Sequence, residues 1–494
     1  MLRSKLMRWL LSLLLIAVLL GAGLWLIAFR TVAQPPFPDM ASELNHGSIG
    51  NESEQGIPYW IWRVLPTLFN EYLPGPTGYS SLGLFWEPGA ELPVGFSKKT
   101  VGVERVSINC AFCHQGSYRL HANDLSKLVV AGPGNRVAVQ GYLRFLADAG
   151  SDPRFTADTL MAEIKRIYDM PWWERMAYRY LFIPATKQAL QRQAREFAWA
   201  GANPDWGRGR IDPFNPVKYG ILRMGNDGSI GNSDMMPLWQ QSLSEGKNAD
   251  GAPRSLHWDG LSTSLHEVVV TGAIGDGMRY RDYKRRPVRE RIDRIEAYVR
   301  DLEPPPSPFS SKLDPSDPYY VDPEQVARGA EIHAQTCAVC HRPDGARFRT
   351  PIPVDELGVD RHRVDMWTAE AARRYNAYSD KGKSWGFSGF RDVDGYVAVP
   401  HTGLWLRAPY LHNGSVPTLR DMLRPPAQRP AAFYRGVDLI DPENGGFIAQ
   451  GPVAEATGER YDTTLPGNSN GGHLYGTDLP DADKEALLAY LKTL

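Results

Sequence analysis

The chain has 494 residues, enough for about two or three domains, and it carries 55 basic against 56 acidic residues for a formal charge of −1. That balance leaves no basic surplus for a phosphate backbone and argues against nucleic acid as a partner. Aromatic residues make up 11% of the chain, with 14 tryptophans, a composition that suits a large core or the apolar walls of a cofactor pocket.

Residues 1–34 open with an apolar segment. Trp9 to Phe29 is 21 residues without a charge, about 31 Å as a helix and long enough to span a bilayer. Arg3, Lys5 and Arg8 precede it and stay in the cytoplasm by the positive-inside rule. The run exceeds the about 7–15 apolar residues of a signal peptide, although Thr31-Val32-Ala33 offers a weak cleavage site. The expectation is one transmembrane helix at the inner membrane, with the bulk of the chain in the periplasm. The alternative is a cleaved leader, which delivers the chain to the same side.

Residues 31–60 are rich in Pro, Gly, Ser and Asn and read as a tether. Thr100 to Ile108 is β-branched and reads as extended. It leads into Cys110-Ala111-Phe112-Cys113-His114, and the pattern recurs at Cys337-Ala338-Val339-Cys340-His341. Both read C-x-x-C-H, the attachment signature of c-type haem. Two thiols three positions apart reach the two vinyl groups on one porphyrin edge. The imidazole that follows then lies under the iron and ligates it. All four cysteines are used this way, and none remains for a disulfide. A zinc ribbon sets its cysteine pairs about 15–20 residues apart. Here they lie 227 apart, and zinc gives no reason for a histidine after each pair. A redox dithiol would need a thioredoxin-like context that the sequence lacks. The reading is two covalently bound haem c groups, held by Cys110, Cys113, Cys337 and Cys340, with His114 and His341 as iron ligands.

Helices are predicted over 158–183 and 186–200, and residues 201–260 are loop-like. From Pro287 to Leu302, the residues Val288, Ile292, Ile295, Val299 and Leu302 make one apolar stripe, which Glu303-Pro304-Pro305-Pro306 ends. A first haem c domain is placed at 35–303, a Pro-rich linker at 304–317 and a second, cytochrome c-like haem domain at 318–494. In the second, Asp322 caps a helix with Pro323 at its first position. Gly329 lets another helix cross closely, and the C-terminal helix 481–492 is its partner. Residues 342–470 form a long insertion. The fold class expected is mainly α: two cytochrome c-like haem domains with long irregular loops behind the N-terminal transmembrane helix.

Further residues are candidates around the first iron. His257 and His266 offer imidazoles, as ligands or as hydrogen-bond partners of a propionate or of bound oxygen. Met235 and Met236 offer thioethers, which raise a haem potential, or fill the core. Glu267 is a candidate acid–base group for O–O cleavage. Trp239 and Trp258 are candidate relays between the haems or plain core residues. Arg136 and Arg407 are candidate propionate partners or surface arginines.

Met236-Pro237-Leu238-Trp239, His257-Trp258-Asp259-Gly260, the run from Ala408-Pro409-Tyr410-Leu411-His412-Asn413-Gly414 to Leu419, and Gly467-Asn468-Ser469-Asn470-Gly471-Gly472-His473 resemble the bacterial di-haem cytochrome c peroxidase superfamily. Within it they look most like the rubber oxygenase-like di-haem c-type cytochromes, as does Asp152-Pro153-Arg154-Phe155-Thr156. The resemblance covers most of residues 100–494. It implies a helical fold in which one six-coordinate haem relays electrons and the other keeps an open position for peroxide or dioxygen. It implies His473 as the second axial ligand of the C-terminal haem and makes the N-terminal haem the candidate reaction centre. His412 is the competing ligand. In the wider superfamily the matching histidine lies near the haem without binding iron, which makes it a hydrogen-bond partner.

Two functions follow from these readings. One is a di-haem c-type cytochrome that carries out electron transfer. The other is a di-haem peroxidase or rubber oxygenase-like dioxygenase. The expected partners are a quinone, a small cytochrome, a copper protein or a small oxidant, with membrane attachment through the N-terminal helix.

Overall fold

The computed structural model describes the backbone of residues 2–382 and 385–494; the side chains of residues 2–6, 20 and 24–29 lie outside the description. The N-terminal segment is helical over Leu2–Phe29. Its described uncharged side chains run unbroken only over residues 9–19, about 17 Å of helix against about 30 Å of bilayer hydrocarbon. The remainder of the expected run includes residues 20 and 24–29, outside the described side chains. Among the described residues no helix is long and apolar enough to cross a membrane. The transmembrane helix and the inner-membrane anchor expected from the sequence are corrected on that finding, and the periplasmic placement drawn from the anchor goes with them.

The fold class is also corrected. Helix makes up 43% of the chain and strand 11%, so the architecture is mixed rather than mainly α. The reason is local. β-Branched stretches around the first attachment motif pair with their sequence neighbours instead of forming loops. Phe96–Val101 and Val103–Ile108 form an antiparallel hairpin in the register Phe96 to Ile108, turned at Gly102 with φ 77°. Ile57–Pro58 adds a third strand. Two-stranded pairs elsewhere include Ala432–Arg435 with Glu459–Asp462.

The hairpin packs on a core with Trp62, Phe69, Phe96, Phe112, Tyr142 and Phe145 buried within it. The predicted 158–183 helix is divided into Ala157–Ile167 and Trp172–Ala177, with Pro171 at the break. The second piece runs through a π-helical turn, Tyr178–Phe182, into the helix Ile183–Glu196. The helix Arg286–Asp301 buries Val288, Ile292, Ile295 and Val299, four of the five residues of its sequence stripe, and the fifth, Leu302, is its C-cap.

Asp322 caps the helix Pro323–Thr336, its side chain accepting the N–H groups of Glu324 and Gln325. This helix crosses Asp481–Lys492, which buries Leu487, Leu488 and Leu491. The crossing is at backbone contact, since a Cβ on Gly329 would stand 2.0 Å from the Ala486 carbonyl oxygen. Only glycine permits that approach.

Candidate functional site

The two attachment motifs are presented by different local structures. The first follows a strand. Asn109 turns the chain out of Val103–Ile108: its Oδ1 accepts the Ala111 N–H at 3.0 Å, and its Nδ2 donates to the carbonyls of Asn45 and Gly47 at 3.2 and 3.1 Å. Gly95 closes on this turn at φ 89°, where a Cβ would meet Phe112 Cα at 2.4 Å. His114 then lies with Nδ1 2.8 Å from the Met236 carbonyl oxygen. A carbonyl only accepts, so Nδ1 carries the proton and Nε2 keeps its lone pair for a metal. Burial holds the His114 pKa down to about 4, and the ring is neutral at neutral pH. Burial also pushes the Cys110 thiol up to about 12. A thiol that resists ionisation is a poor redox nucleophile, whereas a thioether has no charge to bury.

Cys110, Cys113 and His114 line a cavity of about 830 Å³, within the range of about 300–1,000 Å³ for cofactor sites. Leu143, Leu146, Phe182, Ala189 and Leu190 give it an apolar wall. His257 lines the same cavity.

The second motif follows a helix. Pro323–Thr336 runs into Cys337, and the turn Ala338–His341 carries the rest. His341 Nδ1 lies 2.7 Å from the Val399 carbonyl oxygen, which fixes the same tautomer as in His114, and burial holds its pKa down to about 3. The ring centre of His473 is 6.3 Å from that of His341, with the planes tilted by 60°. Two imidazoles on opposite sides of one iron, each bonded at about 2.0 Å, need their ring centres about 6 Å apart. Burial holds the His473 pKa down to about 4.

His473 is held by its loop. Its N–H donates to the Leu357 carbonyl at 2.8 Å. Gly472, at φ 74°, passes so close to Leu357 and Gly358 that a Cβ would stand 2.4 Å from the Leu357 oxygen. Arg429 donates to the carbonyls of Asn470, Gly472 and His473 at 2.6, 2.9 and 3.3 Å. Asn413 Nδ2 donates to the carbonyls of Gly467 and Ser469 at 3.2 and 3.0 Å. The Pro-Tyr-Leu-His-Asn-Gly segment thus clamps the loop that carries His473.

Two residues around His341 were not singled out from the sequence. The His401 ring stacks on His341 at 3.8 Å between centres, and its Nδ1 is 3.0 Å from His333 Nε2. The only sequence signals were the place of His333 one helical turn before Cys337 and that of His401 beside Val399.

The other candidates are distributed as follows. His412 is buried, stacked on Tyr396 at 4.1 Å and 5.9 Å from Trp258, and burial pushes its pKa down to about 3. His266 Nδ1 pairs with Glu296 at 2.8 Å, which raises its pKa, and it is not on the cavity wall. Glu267 pins a loop: it accepts the Ser262 hydroxyl at 2.7 Å and the N–H groups of Ser388 and Gly389 at 2.9 Å. Met235 and Met236 both line the cavity. Trp239 donates to the Val130 carbonyl at 3.2 Å. Trp258 packs in one cluster with Met236, Cys340 and Tyr396, which holds one cysteine of the second motif and the residue whose carbonyl accepts from His114. Arg136 pairs with Asp438 at 3.3 Å. The Arg407 guanidinium donates to the Thr402 carbonyl at 2.9 Å and lies over the Trp239 ring, and burial lowers its pKa to about 10.

Residues 395–434 match the RoxA-like, cytochrome c-like family. They include Val399, His401, Arg407, His412 and Arg429. This relates the chain to rubber oxygenase-like c-type cytochromes. A cytochrome c-like domain implies haem c as the cofactor. Over 108 residues, 20% of this chain and 18% of the other, the sequence is 41% identical to the uncharacterized protein y4iJ of Sinorhizobium fredii (strain NBRC 101917 / NGR234). Over 306 residues, 53% of this chain and 64% of the other, it is 25% identical to the uncharacterized protein y4iM of the same strain. The chain spans less than two thirds of the length of either relative.

The residues present fit such a group. Beyond the thiol pairs and the free Nε2 positions, Trp258 Nε1, Arg349 Nε and Nη1 and Arg363 Nε are buried without a hydrogen-bond partner among the described residues. Buried donors are ordinarily paired, and a cofactor with carboxylate side chains offers them acceptors.

Proposed function

We propose that this is a di-haem c-type cytochrome that moves single electrons between two covalently bound haems, and that the first of them meets an external reactant. A bound haem c supplies a one-electron couple and, where its iron keeps an open position, a place for a small oxidant. The observation that carries the reading is the asymmetry of the two histidines. His341 has a second imidazole, His473, at the spacing of a shared iron. His114 instead faces a roomy cavity with an apolar wall. Cys110, Cys113 and His114 would hold one haem, and Cys337, Cys340, His341 and His473 the other.

The protein groups then have separate tasks. The carbonyls of Met236 and Val399 fix the tautomer and the orientation of the imidazoles, while burial keeps the rings neutral. Leu143, Leu146, Phe182 and Leu190 give the first site an apolar wall. Trp258 supplies an aromatic path between the two, as a member of the apolar cluster that also holds Met236 and Cys340. The external reactant is a small oxidant, and the electron donor a quinone, a small cytochrome or a copper protein. A pure electron carrier is the second reading, favoured by His257, which lines the cavity and acts electrostatically on His114. Low-temperature EPR of the oxidised, haem-matured protein separates them. One low-spin and one high-spin ferric signal supports the open first site. Two low-spin signals alone favour the carrier.

A further inference from the structure

Arg349 lies eight residues beyond His341 and is 2% exposed. Its Nε and Nη1 have no hydrogen-bond partner among the described residues. The charges that act on it are two other guanidiniums, Arg407 and Arg254, and together with burial they press its pKa down to about 9. An uncompensated guanidinium is among the least favourable groups to take out of water.

The backbone holds it in place. Arg349 has φ 56°, the left-handed region that is strained for a residue with a Cβ. Its carbonyl accepts the Ser255 N–H at 2.9 Å. The loop after the second motif is therefore tied to the segment that leads into His257. The electrostatics run both ways from this junction: His257 senses Arg349, and His341 senses Arg407. Arg349 thus stands where the surroundings of the two attachment motifs meet, a fixed cation without an anion beside it among the described residues.

A guanidinium matches a carboxylate as a two-pronged donor. Haem carries two propionate carboxylates, on the side of the ring away from the vinyl edge that the cysteines take. We propose that Arg349, with Arg407 beside it, is the seat of a haem propionate at the junction of the two haem sites, and that it sets the potential of that haem. The proposal rests on the two-haem reading above. Arg349 is a positioning residue: by neutralising a propionate it favours the reduced iron, whose charge is one unit lower. Without it the propionate charge stabilises the ferric state, and the propionate titrates closer to neutral pH.

The test is a spectroelectrochemical titration of the full-length, haem-matured protein, as wild type and as Arg349→Met, at several pH values, with haem counted per chain. In Arg349→Met the reduced-to-oxidised ratio of one haem should fall at least tenfold at fixed ambient potential, which is 59 mV for a one-electron couple. The midpoint of that haem should also become more dependent on pH, and Arg349→Lys should recover most of the shift. If Arg349→Met does not accumulate, Arg349→Gln, which keeps a hydrogen-bond donor but no charge, carries the same expectation. Two haems per chain with both midpoints unchanged in the variant would overturn the proposal and leave the two-haem reading intact, with an ion from solution as the partner of Arg349. Fewer than two haems in the wild type would overturn the reading itself.

Discussion

His341 and His473 bring their ring centres to 6.3 Å although they are 132 positions apart in the chain. The spacing is that of two imidazoles on one iron, and it is produced by backbone contacts to the His473 loop rather than by the rings. His473→Ala should therefore convert one ferric signal from low-spin to high-spin and leave the other unchanged, with both haems still attached through their cysteines. His473→Met should keep that haem six-coordinate and raise its potential, as thioether ligation does. An EPR spectrum of His473→Ala identical to wild type would remove His473 from the iron.

Gly472 tests the loop separately from the ligand. A Cβ there meets the Leu357 oxygen at 2.4 Å, and φ is 74°. Gly472→Ala should cost on the order of 2 kcal/mol in unfolding free energy and should reproduce, in part, the spin change of His473→Ala. A lower melting temperature without any spectral change would mean that the loop adjusts without moving His473.

Much of this site was legible in the sequence because haem attachment demands contiguous residues. Cys110 to His114 and Cys337 to His341 declare themselves within five positions each. Asp322 and Pro323 were legible for the same reason, since capping acts within one helix turn, and Gly329 because a glycine inside a helix marks a close approach. The groups that orient the imidazoles were not. Met236 and Val399 act through their carbonyl oxygens, which every residue type possesses. His333 and His401 are 68 positions apart and meet only in the fold. Arg349 looked like any loop arginine, because lack of a partner is a property of the surroundings. The extended pattern before Cys110 marks the strand Val103–Ile108 but not its partners, because Ile57–Pro58 is a two-residue strand and Phe96–Val101 carries Ser and Lys among its apolar residues.

The helix crossing that frames the second motif gives a stability prediction free of haem chemistry. Gly329 meets the Ala486 carbonyl with no room for a side chain. Gly329→Ala should lower the unfolding free energy by about 1–3 kcal/mol, the usual result of overpacking, even though alanine is the better helix former by about 1 kcal/mol. Chemical denaturation of the matured protein measures it. A variant as stable as wild type would mean that the two helices separate at little cost.

Trp258 belongs to the cluster that reaches both Met236 and Cys340. Trp258→Leu should slow equilibration between the haems after rapid reduction of one of them, with both midpoint potentials retained. It should also destabilise the protein by about 2–4 kcal/mol through lost packing. Trp258→Phe should keep more of the rate. Equal rates in all three proteins would place the electron path elsewhere.

The buried His412 predicts an acid limit to stability. Burial holds its pKa down to about 3, against about 6.5 in an unfolded chain. Between these values the unfolded chain binds a proton that the folded one does not, so stability rises with pH. The contribution is fully present above about pH 6.5 and is lost as the pH falls toward 3, by up to about 1.4 kcal/mol per pH unit. His412→Phe keeps a ring against Tyr396 and removes the proton site. Denaturation midpoints at pH 7.5, 6 and 5, compared at about those values with the wild type, should fall less steeply with acid in the variant. Parallel slopes would assign the acid sensitivity to other groups, of which His114, His341 and His473 are shielded when an iron occupies the nitrogen that would take the proton.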